Sequence, residues 1–154
     1  MMVAVEQSLF EAVGGSDAML ALARAWHRRC LDDPLASHPF THGDLHPQHV
    51  ERLAAYWSEA IGGPPTYTTT MGEHAEVMRI HGCNGPHPEL DARTVELFAL
   101  ALDDVAVPEP ARGALAAYFD EMVARMAAYD EADADAAAPL VHWSWDGPDD
   151  AARG

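Results

Sequence analysis

Residues 61–82, IGGPPTYTTTMGEHAEVMRIHG, decide the fold of this chain. Two glycines and two prolines at 62–65 stop the preceding helix, because glycine weakens a helix and proline removes one of its hydrogen bonds. We expect irregular chain from there to Met71. Apolar residues at three- and four-residue spacing then predict a short helix over 73–81, and a second cluster of glycine and proline follows it at once. His81 therefore stands at the end of a short helix.

The same helical spacing continues on both sides of this stretch. Strand-like alternation is missing from the sequence, apart from the β-branched run at 66–70. Gly14-Gly15 separates the first two helices, and Ser16 is the expected N-cap of the second. The predicted helices cover about 7–13, Ser16 to Pro34, Pro47 to Ile61, 73–81, 90–105 and 111–129. The fold class is all-α.

Composition limits the class of protein and its partners. A chain of 154 residues with 49% hydrophobic residues suits one packed domain. Nine Lys plus Arg against 25 Asp plus Glu leave a net charge of −16, which repels nucleic acid and anionic lipid. We find no signal-peptide pattern and no apolar run near the roughly 20 residues of a membrane span, so we expect a cytoplasmic protein. Cys30 and Cys83 are expected to be reduced thiols, since no Cys-x-x-Cys pair is present.

The position of His81 has two interpretations. Val77, Met78 and His81 form one apolar stripe, which turns the imidazole inward. A buried neutral imidazole needs a hydrogen-bond partner for its N–H, and its second nitrogen keeps a lone pair that can bind a metal. His81 is either such a ligand or a hydrogen-bonded core histidine, and the pattern alone does not decide between them.

A rival metal site uses another group of histidines. His42, His46 and His49 are four and three residues apart. Together with His42 or Asp44, the other two could hold zinc or a similar ion through imidazole nitrogens. The glycine and the proline within this run oppose a continuous helix there and weaken the hypothesis.

Three features together resemble the truncated globins, and most closely their second group. They are two helices joined by Gly14-Gly15, a helix that ends in Gly-Gly-Pro-Pro-Thr-Tyr at 62–67, and a short helix with Met-Arg-Ile-His at 78–81. The resemblance covers about residues 9–129. It implies a two-over-two helical sandwich around haem b, with His81 as the proximal iron ligand and O₂ or another diatomic molecule bound reversibly on the opposite face. The carbonyl of Val77, four residues earlier, is the candidate acceptor for the other ring nitrogen of His81.

By the same resemblance, the ligand side of the haem comes from the second and third long helices. His27 follows Trp26 where the family usually has an aromatic residue and then tyrosine. The apolar walls are Phe40 flat on the porphyrin, Leu53 above the iron and Trp57 one turn further along. His49, one turn before Leu53, either points into this cavity or faces solvent at the haem edge.

Two departures from the family concern hydrogen bonds to the ligand. His27 replaces the usual tyrosine, and Thr94 or Val95 stands where the family commonly has a tryptophan. A distal donor stabilises bound O₂ because negative charge collects on its oxygen atoms. His27 and His49 are the candidate donors when they are neutral, and either could instead ligate the iron and give a six-coordinate resting state.

The carboxylates of the haem need donors at the mouth of the pocket. Arg79, Arg52, His74 and Tyr67 are the candidates, since an arginine fork can bind both oxygens of a carboxylate. Simple surface exposure is the alternative for the two arginines. The residues implied around the cofactor are therefore His27, Phe40, His49, Leu53, Trp57, Tyr67, His74, Met78, Arg79 and His81.

The chain divides into a globin domain at 1–129 and an acidic linker with a tryptophan-containing extension at 130–154, which is part of the same domain or partly disordered. Trp143 and Trp145 are expected to pack on the first or last helix, since an indole buries a large apolar area. These tryptophans also favour a third interpretation, a cofactor-free interaction module, which leaves the inward histidines unexplained. Redox chemistry on peroxide or nitric oxide, a homodimer and the identity of a redox partner stay open.

Overall fold

The computed structural model describes residues 7–41, 45–82, 87–128 and 140–148. Within these ranges the chain is almost entirely helical, which confirms the all-α class. The helices are α1 (Leu9–Val13), α2 (Gly15–Leu31), α3 (His38–Thr41), α4 (His49–Ala60), α5 (Thr66–Thr70), α6 (His74–Gly82), α7 (Pro88–Asp104) and α8 (Ala111–Ala128), and a short antiparallel pair follows, β1 (Trp143–Ser144) and β2 (Gly147–Pro148). In this part of the chain no helix is long and apolar enough to cross a membrane.

Two pairs of helices cross to form the sandwich. The helix α2 packs on α4 and on α7, α7 packs on α8, and α1 closes one end against α2 and α8. The helix α5 packs on α4, and the main described partner of α6 is α8. This is the two-over-two arrangement that the family resemblance implies.

Four aromatic rings, one from each long helix, meet where the pairs cross. Trp26 of α2 and Trp57 of α4 lie 5.6 Å apart between ring centroids, and both meet Phe119 of α8 edge-on. Phe98 of α7 stacks on Phe119 at 4.0 Å and meets Trp57 edge-on at 5.4 Å. Such pairs add about 0.5–1.5 kcal/mol each to the burial of apolar area. We call these four residues the aromatic quartet.

The start of α2 differs from the sequence prediction. The helix begins at Gly15 with Gly14 as its N-cap, so the assignment of Ser16 as N-cap was wrong. Gly14 and Gly15 have φ angles of 121° and 82°, in the region that glycine enters without steric cost. The two helices therefore join directly through the diglycine.

The chain after the diproline also differs from the prediction of an irregular stretch, because α5 forms there. The hydroxyl of Thr70 donates to the carbonyl of Thr66 at 2.6 Å. The buried Glu59 carboxylate accepts hydrogen bonds from the backbone N–H and the hydroxyl of Thr68, at 2.9 and 2.6 Å. These bonds stabilise a helix that a run of threonines does not favour by itself.

The end of α4 lies close to α1. The N–H of Phe10 donates to the carbonyl of Ile61 at 3.0 Å, and the N–H of Gly63 donates to the carbonyl of Ser58 at 2.8 Å. A methyl group on Gly63 would stand 2.7 Å from the Ser58 carbonyl oxygen and 2.8 Å from a ring carbon of Phe10. Glycine is therefore required here by the close approach of two helices.

The C-terminal segment packs on the helical domain, as the sequence predicts for its tryptophans. The ring of Trp143 meets Tyr118 of α8 edge-on at 5.6 Å, and the indole N–H of Trp145 donates to the carbonyl of Gln7, just before α1, at 2.7 Å. Leu140 is buried. The acidic linker predicted from residue 130 lies outside the described residues.

We expect Gly63→Ala to destabilise the protein by about 1–3 kcal/mol, because the added methyl group overlaps backbone and an aromatic ring. The matched control is Gly113→Ala in α8, where the nearest atom belongs to a flexible glutamate side chain at 3.3 Å. This control should be neutral or more stable by up to about 1 kcal/mol, since alanine favours a helix. Chemical denaturation measures both values, and equal changes in the two variants would contradict the role of Gly63.

Candidate functional site

Three rings from three different helices form a compact group beside the aromatic quartet. His27 of α2 lies 5.1 Å from Phe40 of α3 and 5.3 Å from His49 of α4, measured between ring centroids. Phe40 and His49 are 5.5 Å apart. The structure thus brings together three residues that the sequence analysis names for the ligand side of the pocket. We call them the ring cluster.

Two neighbouring elements fix the position of the ring cluster. Trp26, next to His27, belongs to the quartet, and its indole N–H donates to the carbonyl of Thr94 at 3.1 Å. The Asp33 carboxylate accepts hydrogen bonds from the N–H groups of Leu35 and Ala36, at 3.0 and 2.9 Å. These bonds shape the turn that leads into α3, and so they set the position of Phe40 in the ring cluster.

Asp33 in turn depends on α7. Its second oxygen accepts a hydrogen bond from Nε of Arg93 at 2.6 Å. The hydrogen bond from Ala36, followed by the one from Arg93, holds the pKa of Asp33 below its usual value. The carboxylate is therefore ionised at neutral pH and joins the α2–α3 turn to α7.

Burial determines the charge state of His27. Its pKa is lowered from 6.5 because burial penalises the charged imidazolium. Its Nδ1 is buried and has no hydrogen-bond partner among the described residues. A neutral imidazole carries one donor nitrogen and one acceptor nitrogen, so His27 can either give a hydrogen bond or offer a lone pair.

The apolar residues predicted for the ligand side of the pocket lie in two different environments. Leu53, one turn after His49, is only partly buried, as are His49 and Phe40. Trp57 is 1% exposed and belongs to the quartet, and its indole N–H is buried without a hydrogen-bond partner in the described chain. Thr94 and Val95 are both partly buried, so burial does not distinguish between them.

A second polar group lies toward the other end of α4. The hydroxyl of Tyr56 and Nδ1 of His74, the first residue of α6, are 2.7 Å apart. Burial, and then the charge of Arg125, lower the pKa of His74, so this imidazole is neutral at pH 7. Tyr67 meets Tyr56 edge-on at 5.2 Å. Sequence reasoning named His74 and Tyr67 and missed Tyr56, whose signal is an aromatic residue one turn after Leu53 on the same helix.

Arg52, a candidate for a cofactor carboxylate, is engaged with α5 and the residue that follows it. Its guanidinium lies 5.6 Å from the centre of the Tyr67 ring, and Nη2 donates to the carbonyl of Met71 at 3.0 Å. An arginine has five N–H donors, so these contacts leave others for an anion.

The helix α6 carries the remaining predicted residues. Met78 is partly buried. The backbone of Arg79 and His81 belongs to the last turns of α6, and their side chains lie outside the described structure. His81 thus stands at the end of a short helix, as the sequence predicts.

The rival metal site is only partly covered by the structure. His46 is exposed, and its Nδ1 accepts a hydrogen bond from the N–H of Gln48 at 3.0 Å, whereas the ring of His49 lies in the ring cluster. His42 and Asp44 lie outside the described residues. Over the ranges that are described, no three His, Cys, Asp or Glu side chains are grouped so as to hold a metal ion.

Comparison with known proteins identifies the family. The family model described as bacterial-like globin matches residues 8–128. Group 1 truncated hemoglobin GlbN of Synechocystis sp. is 33% identical over 104 residues, which are 66% of this chain and 81% of that protein. The thermostable hemoglobin of Thermobifida fusca is 28% identical with a TM-score of 0.69, over 81% of this chain and all of that one. The group II truncated hemoglobin of Bacillus anthracis, 21% identical with a TM-score of 0.70 over 80% of this chain and 92% of that one, shares the fold. This chain belongs to the bacterial-like truncated globin family.

Proposed function

We propose that this protein binds haem b between α4 and α6, with His81 as the iron ligand on the α6 side and the ring cluster on the other. The function proposed is the reversible binding of O₂ or another diatomic molecule. The observation that carries this proposal is the convergence of His27, Phe40 and His49 from three helices. Family membership supports it, since the matched region includes all three rings and α6.

The described residues fit a haem in two respects. First, the buried Nδ1 of His27 has no partner in the described chain, and a buried polar atom without one is costly unless a ligand supplies it. Second, Leu53, Phe40 and Met78 are only partly buried although they are large and apolar, whereas the quartet beside them is almost fully buried. Partly exposed apolar walls next to a packed core are what a flat apolar cofactor would cover.

The ring cluster would control what happens at the ligand. When bound, haem supplies an iron centre that a diatomic molecule can occupy. The neutral imidazole of His27 can then donate a hydrogen bond to that molecule, and Phe40 restricts the access of water. His49, the other imidazole of the ring cluster, is the second candidate donor.

The haem carboxylates would lie near the Tyr56–His74 contact. Tyr67 with Arg52, His74 and Arg79 are the proposed donors, and Met78 would contact the ring on the α6 side. Trp57, which belongs to the quartet, would form the wall of the pocket nearest the packed core.

The finer assignments of globin group, ligand chemistry, location and assembly are predictions. Membership of the second group remains a prediction, because the Synechocystis relative, 33% identical, is a group 1 protein and the likeness to a group II structure at 21% identity shows the fold alone. Oxygen transport, peroxide or nitric oxide chemistry, a cytoplasmic location and a homodimer also remain predictions.

We expect His81→Ala to lose the intense visible absorption of bound haem, because iron loses its only protein ligand on the α6 side. The measurement is the absorption spectrum of the purified full-length chain after haem is added in equal amount. His46→Ala is the matched control, since His46 is an exposed histidine outside the ring cluster, and it should keep the spectrum.

An unchanged spectrum and affinity in His81→Ala would overturn the assignment of the iron ligand. A wild-type protein that takes up zinc in equal amount and no haem would favour the rival metal site. A protein that binds neither would favour the interaction module.

We expect His27→Leu to raise the dissociation rate of O₂ about tenfold or more, because a hydrogen bond to a partly charged acceptor is worth about 1.5 kcal/mol or more. His49→Leu is measured in parallel by the same stopped-flow experiment. If neither variant changes the rate, the donor role of both histidines is wrong. If one imidazole ligates the iron instead, the reduced wild-type protein is low-spin without added ligand, and the matching leucine variant is high-spin.

A further inference from the structure

One wall of the cavity at the proposed haem site comes from outside the globin domain. The cavity lies between α4, α6 and α8, and its lining includes His74 and Met78, which are both proposed haem contacts. Three more lining residues follow α8 in the chain: Leu140, Val141 and Trp143. The region that matches the globin family ends at residue 128, so the C-terminal segment, residues 140–148, adds a wall that the matched domain does not contain.

Contacts on both sides of the cavity wall hold the C-terminal segment against the helices. The ring of Trp143 meets Tyr118 of α8 edge-on at 5.6 Å. Further along, the indole N–H of Trp145 donates to the carbonyl of Gln7 at 2.7 Å, and β2 packs on α8. Trp145 and Gln7 do not line the cavity. One part of the segment therefore forms the wall, and another part anchors it to the domain.

The side chains of this wall suit the apolar surface of a porphyrin. Leu140 is buried, Val141 and Trp143 are partly buried, and none of the three carries a charge. The lining also contains a cation, Arg125 of α8, whose Nε lies 3.1 Å from a carboxylate oxygen of Glu121. Ligand pockets bury most of the ligand surface, mainly behind apolar side chains. The C-terminal segment adds such apolar surface, whereas the cation in the lining belongs to the helical domain.

We propose that residues 140–148 form a cover over the haem pocket that must open before haem can leave, a role that rests on the proposed function because the pocket is the same. Opening breaks the contact of Trp143 with Tyr118 and the hydrogen bond of Trp145 to Gln7, and it exposes apolar walls to water. The closed cover therefore slows the loss of haem. Because coupling between two binding events is reciprocal, bound haem also stabilises the closed cover.

The test measures how fast the full chain, loaded with haem, releases haem to an excess of a haem-free acceptor globin, as followed by visible absorption. Val141→Asn places an amide in the apolar wall at similar size. We expect this variant to release haem about tenfold faster, because a polar group that is buried without a partner is costly. His142→Asn is the matched control, since His142 is exposed and does not line the cavity, and its release rate should equal that of the wild type.

A second variant tests the opening of the cover. Trp145→Phe keeps an aromatic ring but removes the hydrogen bond to Gln7, at a position outside the cavity lining. One neutral hydrogen bond changes an equilibrium about fivefold, so the open form should be about five times more populated and haem should be released about fivefold faster. In the wild-type protein, added haem should slow the exchange of backbone hydrogens at 140–148.

Four outcomes would disprove the cover while the proposed function stands, all of them with a wild-type protein that holds haem. Val141→Asn or Trp145→Phe releases haem at the wild-type rate, or His142→Asn releases it as fast as Val141→Asn does. In the fourth outcome, haem leaves the hydrogen exchange at 140–148 unchanged. A wild-type protein that takes up no haem would instead overturn the proposed function, and the cover with it.

Discussion

The contact on which the rest of the structure depends is the meeting of four aromatic rings, one from each long helix. Trp26, Trp57, Phe98 and Phe119 lock the two helix pairs at one crossing, and three of the four are 2% exposed or less. Removing one such ring from a core costs about 3–5 kcal/mol, which is a large share of the 5–15 kcal/mol that stabilise a typical domain. The position at which the helices cross is therefore well defined, and so are the positions of the side chains next to the crossing.

The geometry of the ring cluster follows from this crossing of the helices. His27 is the next residue after Trp26, and the indole bond to the Thr94 carbonyl fixes the rotation of α2 against α7. His49 begins α4 two turns before Trp57, so its distance from His27 follows from the packing of α2 on α4. A site built on helices that a packed core holds in place can keep two imidazole rings close together, here 5.3 Å between centroids.

Local patterns in the sequence predict the helices well, because glycine, proline and apolar spacing act through neighbouring residues. They fail where a contact with another helix decides whether a segment is helical. The helix at 66–70 depends on the buried Glu59 carboxylate, and the helix propensity of the threonines does not indicate the contact of that carboxylate with Thr68. For the same reason spacing does not place His27 or His49, because their convergence depends on how two helices cross. Only the family resemblance supplied that crossing, and neither the resemblance nor the spacing indicated the Tyr56–His74 contact.

In the proposed site, His27 stands where the family usually has a tyrosine, and its chemistry differs from that of a tyrosine. A tyrosine hydroxyl at neutral pH donates and cannot readily ligate iron, whereas a neutral imidazole can do either. The negative charge of the chain favours the protonated imidazolium, and burial opposes it; the lowered pKa of His27 shows that burial prevails. Whether His27 donates a hydrogen bond or ligates the iron in the proposed site then depends on the separation of α2 and α4 from α6. Because α6 packs mainly on α8, and the quartet fixes α8 against α2 and α4, the same crossing that places the ring cluster also sets that separation.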